Sequence, residues 1–132
     1  MNFLLGLFKK KRFSENEILN LGLKYAMEFG TNWLQPIQSR LSQKVPNLTK
    51  TELDRFDQTC RSAMETGHNF IYERLSKLSD DQQTIESNQL TKEFEGLLKE
   101  KFFWISRSNL KSLLSQSIYY AWKDGLEKTI TY

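Results

Sequence analysis

Apolar residues recur every three or four positions along most of this chain, the spacing of one face of an α-helix. Two pairs, Ser14 with Glu17 and Thr49 with Glu52, have the spacing of capping boxes and predict helix starts after residues 14 and 49. The apolar face of the first helix includes Phe29 and Trp33, and Gly30 is its candidate C-terminal stop. Pro36 either kinks one long first helix or begins a second one. The pattern predicts an all-α fold: an antiparallel helical bundle of four main helices, or five if the Pro36 region counts separately, behind a short N-terminal amphipathic segment.

The longest predicted helix runs from Thr49 to about Leu78, with apolar spacing sustained over three heptads, so we expect it at the centre of the bundle. A further helix is predicted from about Ile85 to Ile105, and the last one begins at caps within Ser106–Asn109 and ends near Gly125. Small residues recur on one face of the first and longest helices, which predicts that these two helices cross closely there. They are Gly22, Ala26 and Gly30, and Cys60, Ala63 and Gly67.

The length of 132 residues fits one folded domain. We divide the chain into an apolar and basic segment (1–13), a single helical-bundle domain (14–128) and a C-terminal tail (129–132). The tail contains β-forming residues, and the pattern indicates no partner for them.

The net charge of +3 is concentrated near the N-terminus. Four of the 19 basic residues lie in 9–12, which leaves 15 basic residues against 16 acidic ones in the rest of the chain. A nearly neutral body argues against a nucleic-acid partner, which needs several phosphate contacts spread over one face.

The N-terminal segment combines an apolar helical face with this basic cluster, a composition typical of reversible binding to anionic membrane surfaces. Its candidate membrane contacts are Phe3, Leu4, Leu7, Phe8, Lys9, Lys10, Lys11 and Arg12. Alternatively, the segment folds back on the bundle with its lysines in water, or frays. The single cysteine cannot close an intrachain disulfide, and no secretory signal or membrane span is recognisable. We therefore expect a cytoplasmic protein, with the inner face of the membrane as a further location.

One spacing, Glu65-x-x-His68, resembles half of a carboxylate-bridged metal site, and a two-fold dimer would have to supply the other half. The simpler interpretation is a hydrogen-bonded histidine at the edge of the apolar stripe. We recognise no cofactor motif and no catalytic constellation, so the sequence favours a protein without enzymatic activity.

Aromatic residues are concentrated in two runs late in the chain. They are Phe102, Phe103 and Trp104, and Tyr119, Tyr120 and Trp122. Consecutive helical residues point about 100° apart, so some of these rings are either covered by the N-terminal segment or the tail, or exposed to a partner. We predict that they form one interaction face of a module that binds another protein or a second copy of itself. Membrane attachment and a dimeric metal protein remain the alternatives.

Overall fold

Five α-helices account for most of the residues that the computed structural model describes, which are 13–132. The helices are α1 (Glu15–Ala26), α2 (Gln38–Lys44), α3 (Lys50–Asp80), α4 (Ser87–Lys101) and α5 (Arg107–Lys123). Two 3-10 turns (Gly30–Asn32 and Leu126–Thr129) and two short strands, β1 (Ile85–Glu86) and β2 (Ile130–Thr131), are the other regular elements of this range. The predicted all-α helical bundle is confirmed. The predicted N-terminal amphipathic segment lies outside the described residues.

The helices begin where side chains satisfy the free N–H groups of the first turn. Ser14 Oγ accepts from the Glu17 N–H at 3.1 Å, and Thr49 Oγ1 accepts from the Glu52 N–H at 3.1 Å. In both cases the glutamate accepts in return from the cap N–H, so both predicted capping boxes are confirmed.

The Pro36 region contains no continuous helix. α1 ends at Ala26, and an irregular connection, residues 27–37, leads to α2 with Pro36 just before its N-cap. Gly30 and Leu34 take φ values of +79° and +64°, which turn the chain in a way that a right-handed helix cannot follow. Trp33, which the apolar spacing placed on the face of the first helix, therefore lies in this connection.

The long helix α3 is central, as predicted, and packs against α1, α2, α4 and α5. The helices α1 and α5 run in the same direction. Asn109 bonds to Asn20, and seven residues later in both segments Gln116 bonds to Met27, the residue that follows α1. The core contains these fully buried side chains: Leu23, Ile37, Leu41, Cys60, Ile71, Leu75, Phe94, Leu98 and Leu113.

The small residues of α3 allow two different helices, α1 and α5, to approach it closely. A Cβ added to Gly22 of α1 would lie 2.7 Å from Cys60 Sγ, so α1 and α3 do approach closely at this point. A Cβ added to Gly67 would instead lie 2.8 Å from Leu113 Cδ2 of α5. The predicted crossing of α1 and α3 is therefore right at Gly22 and Cys60 and wrong at Gly67.

The C-terminal tail has a partner that the sequence pattern did not indicate. β2 pairs in parallel with β1, with Ile130 opposite Ile85. Both isoleucines are buried, so the tail joins the packed core. The helix predicted from about Ile85 to Ile105 is shorter at both ends, because β1 occupies its first two positions and the helix ends at Lys101.

Candidate interaction surface

Five aromatic rings and one imidazole gather where the 27–37 connection meets α3 and α5. We call this group the aromatic cluster: Phe29, Trp33, His68, Tyr119, Tyr120 and Trp122. Trp33 and Tyr120 stack at 5.6 Å, and Tyr119 stacks on Trp122 at 6.0 Å. Phe29 links the two pairs, with its ring 5.5 Å from Trp33 and 6.1 Å from Tyr119. Residues distant in the sequence thus form one continuous aromatic surface.

Much of this surface is exposed. Phe29 is 57% accessible, Tyr119 43% and Trp122 50%. Leu34, which directly follows Trp33, is 58% accessible and retains a left-handed backbone that a leucine adopts only at a cost. Adjacent large apolar groups left in water are typical of contact surfaces.

The two aromatic runs do not form the single face predicted from the sequence. Phe102, Phe103 and Trp104 precede the first residue of α5, whereas Tyr119 lies twelve residues further along this helix, a rise of about 18 Å. Trp104 is only 8% accessible and packs in the core, so it is unavailable to a partner. Phe103 is 79% exposed but isolated from the aromatic cluster. The prediction requires correction: only Tyr119, Tyr120 and Trp122 belong to the cluster.

Two arginines hold the 27–37 connection in place. Arg40 donates to the carbonyls of Tyr25 and Gln35 at 2.8 and 3.1 Å, and it pairs with Glu28 at 3.2 Å. Arg61 of α3 donates to the Gln35 carbonyl as well, at 3.2 Å. These charge-assisted bonds anchor both ends of the connection that carries Phe29.

Two hydrogen bonds that share the buried Gln116 side chain lie beneath the aromatic cluster. Gln116 is 6% accessible, and its Nε2 donates to the Met27 carbonyl at 2.8 Å. Its Oε1 therefore faces His68 Nε2 at 2.7 Å and accepts a hydrogen bond from it. Burial lowers the pKa of His68, which favours the neutral imidazole with its proton on Nε2. The simpler interpretation of His68, a hydrogen-bonded histidine at the edge of the core, agrees with this arrangement.

A groove of about 710 Å³ adjoins the aromatic cluster. One wall is formed by Met27 and Phe29, and the other residues that line it belong to α5. Those residues are Ser108, Lys111, Ser112, Ser115, Gln116 and Tyr119. Five of them are exposed and recur at helical spacing, so the groove follows one face of α5 for about three turns.

The charge of this face has one sign. α5 contains Arg107, Lys111 and Lys123 and no acidic residue. Lys123 Nζ lies 5.0 Å from the ring centre of Tyr119 and 5.6 Å from that of Tyr120, which places a cation against the exposed aromatic surface.

The described residues offer little for catalysis. Cys60 is fully buried, and burial raises the pKa of its thiol to about 12, so the thiol stays protonated and unreactive. No group of three or more His, Cys, Asp or Glu side chains gathers within residues 13–132 as a metal site would. Among these residues, no helix is long and apolar enough to cross a membrane.

Within residues 13–132, the fold brings no cluster of further metal-binding side chains to Glu65 and His68. His68 Nε2 is occupied by Gln116, and Glu65 is exposed. A dimeric metal protein stays a prediction that the metal content of the purified chain would check. It requires iron or manganese that co-purifies with the protein and is lost in His68→Ala.

Comparisons with protein-family models, with curated proteins and with solved structures found no match to this chain. A function must therefore be inferred from its own residues and their arrangement.

Part of the surface escaped the sequence pattern. The apolar spacing placed Phe29 and Trp33 on the core face of the first helix. Gln116 is one polar residue beside an apolar stripe, and nothing in the local pattern indicates its buried hydrogen bonds. Gly30, followed by Thr31 and Asn32, did indicate a helix stop, but a stop alone does not show that the rings on both sides of it lie at the surface.

Proposed function

We propose that this protein is a helical module that binds another protein through the aromatic cluster and the adjoining groove. A surface of this kind supplies large, rigid apolar contacts with low entropic cost, and Trp and Tyr are the residues that most often anchor interfaces. The groove gives the partner a concave seat beside these anchors.

The observation that carries the proposal is the joint exposure of Phe29, Tyr119 and Trp122 next to the groove. Hydrogen bonds of Arg40 and Arg61 anchor the two ends of the 27–37 connection, and the ring of Phe29 packs against that of Tyr119, which supports a surface formed before a partner arrives. A surface ordered in advance loses less entropy when it binds.

The test is a selection of binders from a displayed library of random peptides of about 16 residues, which are long enough to follow the groove. We expect binders that compete with one another and lose affinity about tenfold or more for the double variant Tyr119→Ala/Trp122→Ala. Both side chains are substantially exposed, so circular dichroism should show an unchanged fold.

The matched control is Phe103→Ala, which removes an even more exposed aromatic ring away from the cluster. Binders should keep their affinity for this variant. Failure to recover any binder, or equal affinity for the unaltered protein and the double variant, would overturn the proposal.

Self-association is measured first, by sedimentation velocity. A dimer that the same double variant dissociates would support the proposed surface and make a second copy the partner. A dimer that only Phe103→Ala dissociates would place the contact elsewhere and count against the proposal.

A further inference from the structure

We infer that the groove beside α5 accepts an acidic amphipathic helix of a partner protein, an inference that rests on the proposed function and names its ligand class. The groove is apolar on the side of Met27 and Phe29 and carries lysine and serine side chains on the side of α5. A helix with one apolar and one acidic face complements both sides.

The geometry of α5 sets the size of this ligand. The groove-facing positions Ser108, Lys111, Ser115 and Tyr119 fall on one stripe of the helix. The eleven steps from Ser108 to Tyr119 rise about 16 Å, which is the length of about three helical turns in the partner.

The charges beside the groove determine which polar residues the partner helix should carry. Lys111 lies in the groove, and Lys123 lies at its aromatic end against Tyr119. α5 contributes no acidic residue that would pair with them. Asp124, the acidic residue that follows α5, accepts a hydrogen bond from the Tyr72 hydroxyl at 2.7 Å. Carboxylates on a partner helix would therefore meet cations at both ends of the groove, whereas lysines would be repelled.

The serine side chains suit such a ligand as well. Ser108, Ser112 and Ser115 are exposed hydroxyls that can donate to carboxylates or accept from the partner's side chains. Their small size leaves the space that a helix needs to approach α5 closely.

The experiment uses the full chain and three synthetic helical peptides of about 14 residues with identical apolar positions. The remaining positions are all glutamate, all glutamine or all lysine, and one side-chain staple keeps the helix content equal. Fluorescence anisotropy measures each affinity at about 50 and 200 mM salt. We expect the glutamate peptide to bind about tenfold more tightly than the glutamine peptide at low salt, and the lysine peptide to bind most weakly.

Charge-reversed variants localise this preference. Lys111→Glu/Lys123→Glu should abolish or reverse the order of the peptides. The control Lys92→Glu/Lys101→Glu makes the same change of net charge on α4, at two exposed lysines, and should preserve the order. This pair separates recognition in the groove from attraction to the basic N-terminal residues.

Equal binding of all three peptides, or a preference that survives Lys111→Glu/Lys123→Glu, would overturn the inference. If the peptides nevertheless lost affinity for Tyr119→Ala/Trp122→Ala, the proposed function would be supported, and only the acidic character of the ligand would be wrong. Failure of all three peptides to bind would also overturn the inference, and the library selection would then decide the proposed function independently. A dimer formed through the same surface would also overturn the inference, because a second copy of this chain would then occupy the groove.

Discussion

At the scale of single residues, two glycines in helix interiors have opposite surroundings. A Cβ on Gly67 of α3 would lie 2.8 Å from Leu113 Cδ2 and 3.2 Å from Phe94 Cε2. A Cβ on Gly96 of α4 would have no neighbour within 4 Å. The first glycine allows two helices to approach closely, whereas the second only weakens its own helix.

These surroundings predict opposite effects of alanine. Gly67→Ala should lower the free energy of unfolding by about 1 kcal/mol, because overpacking costs about 1–3 kcal/mol and helix propensity returns up to about 1 kcal/mol. Gly96→Ala should raise it by about 0.5–1 kcal/mol. Urea denaturation followed by circular dichroism measures both changes. Equal effects of the two substitutions would contradict the close packing at Gly67.

His68 predicts a pH dependence of stability. Burial lowers the pKa of His68 in the folded protein below its unfolded value of about 6.5, so the unfolded state binds more protons in the interval between the two values. Stability should therefore fall as the pH decreases through about 6.5, and this loss should be complete below the folded pKa. Unfolding free energies at about pH 7.5 and 5.5 measure it.

The control for this prediction is His68→Gln, which keeps a donor for Gln116 and cannot titrate. His68 is the only histidine of the chain, so the loss of stability across this interval should shrink markedly in the variant. An unchanged pH dependence would assign the effect to other groups.

At the scale of elements, the short strands join the end of the chain to the middle. β2 continues from the turn after α5 and pairs with β1, the segment between α3 and α4. The parallel pairing is consistent with the common direction of α3 and α5, since Gly67 faces Leu113 and Tyr72 bonds to Asp124 further along both helices. Two residues in each strand are too few to be stable alone, so burial of the isoleucines holds them.

Ile130→Ala should therefore destabilise the protein by about 2–4 kcal/mol, the usual cost of truncating a buried aliphatic side chain. The neighbouring substitution Tyr132→Ala removes a ring that is 90% exposed and should change stability by less than about 0.5 kcal/mol. Chemical denaturation of the two variants compares them. Similar values would mean that β2 adds little to the core.

At the scale of the whole molecule, basic residues without acidic neighbours occur in two places. One is residues 9–12, which lie outside the described residues and belong to the predicted membrane contacts. The other is the exposed face of α5, where basic residues have no acidic neighbour on the same helix. We therefore propose different partners for the two locations, an anionic membrane surface for residues 9–12 and an acidic helix for α5.

The predicted membrane contact is tested by co-sedimentation of vesicles with the full chain and with a shortened chain that starts at Phe13. We expect the full chain alone to bind anionic vesicles and to release them at higher salt, because each basic residue near such a surface contributes about 1 kcal/mol of screened attraction. Equal sedimentation of both chains would remove residues 1–12 from the contact.

Much of the helical architecture followed from local patterns. Apolar spacing and the caps at Ser14, Thr49 and Ser106 predicted the central helix and three helix starts. The first helix ends at Ala26, four residues before the stop predicted at Gly30, because Phe29 and Trp33 continue its apolar spacing. Periodicity records which positions are apolar, and it cannot distinguish a ring buried in the core from one that covers a neighbouring element.

The sequence by itself determined the fold class, the helix caps and the neutral charge of the body, because spacing, capping and net charge depend on residues close together or on simple sums. Only the tertiary structure decided that Tyr119 meets Phe29, that Trp104 is buried and that Ile130 pairs with Ile85. The two contacts join residues more than 40 positions apart, and long-range contacts, like the burial of Trp104, are decided by the packing of the whole chain rather than by any local pattern.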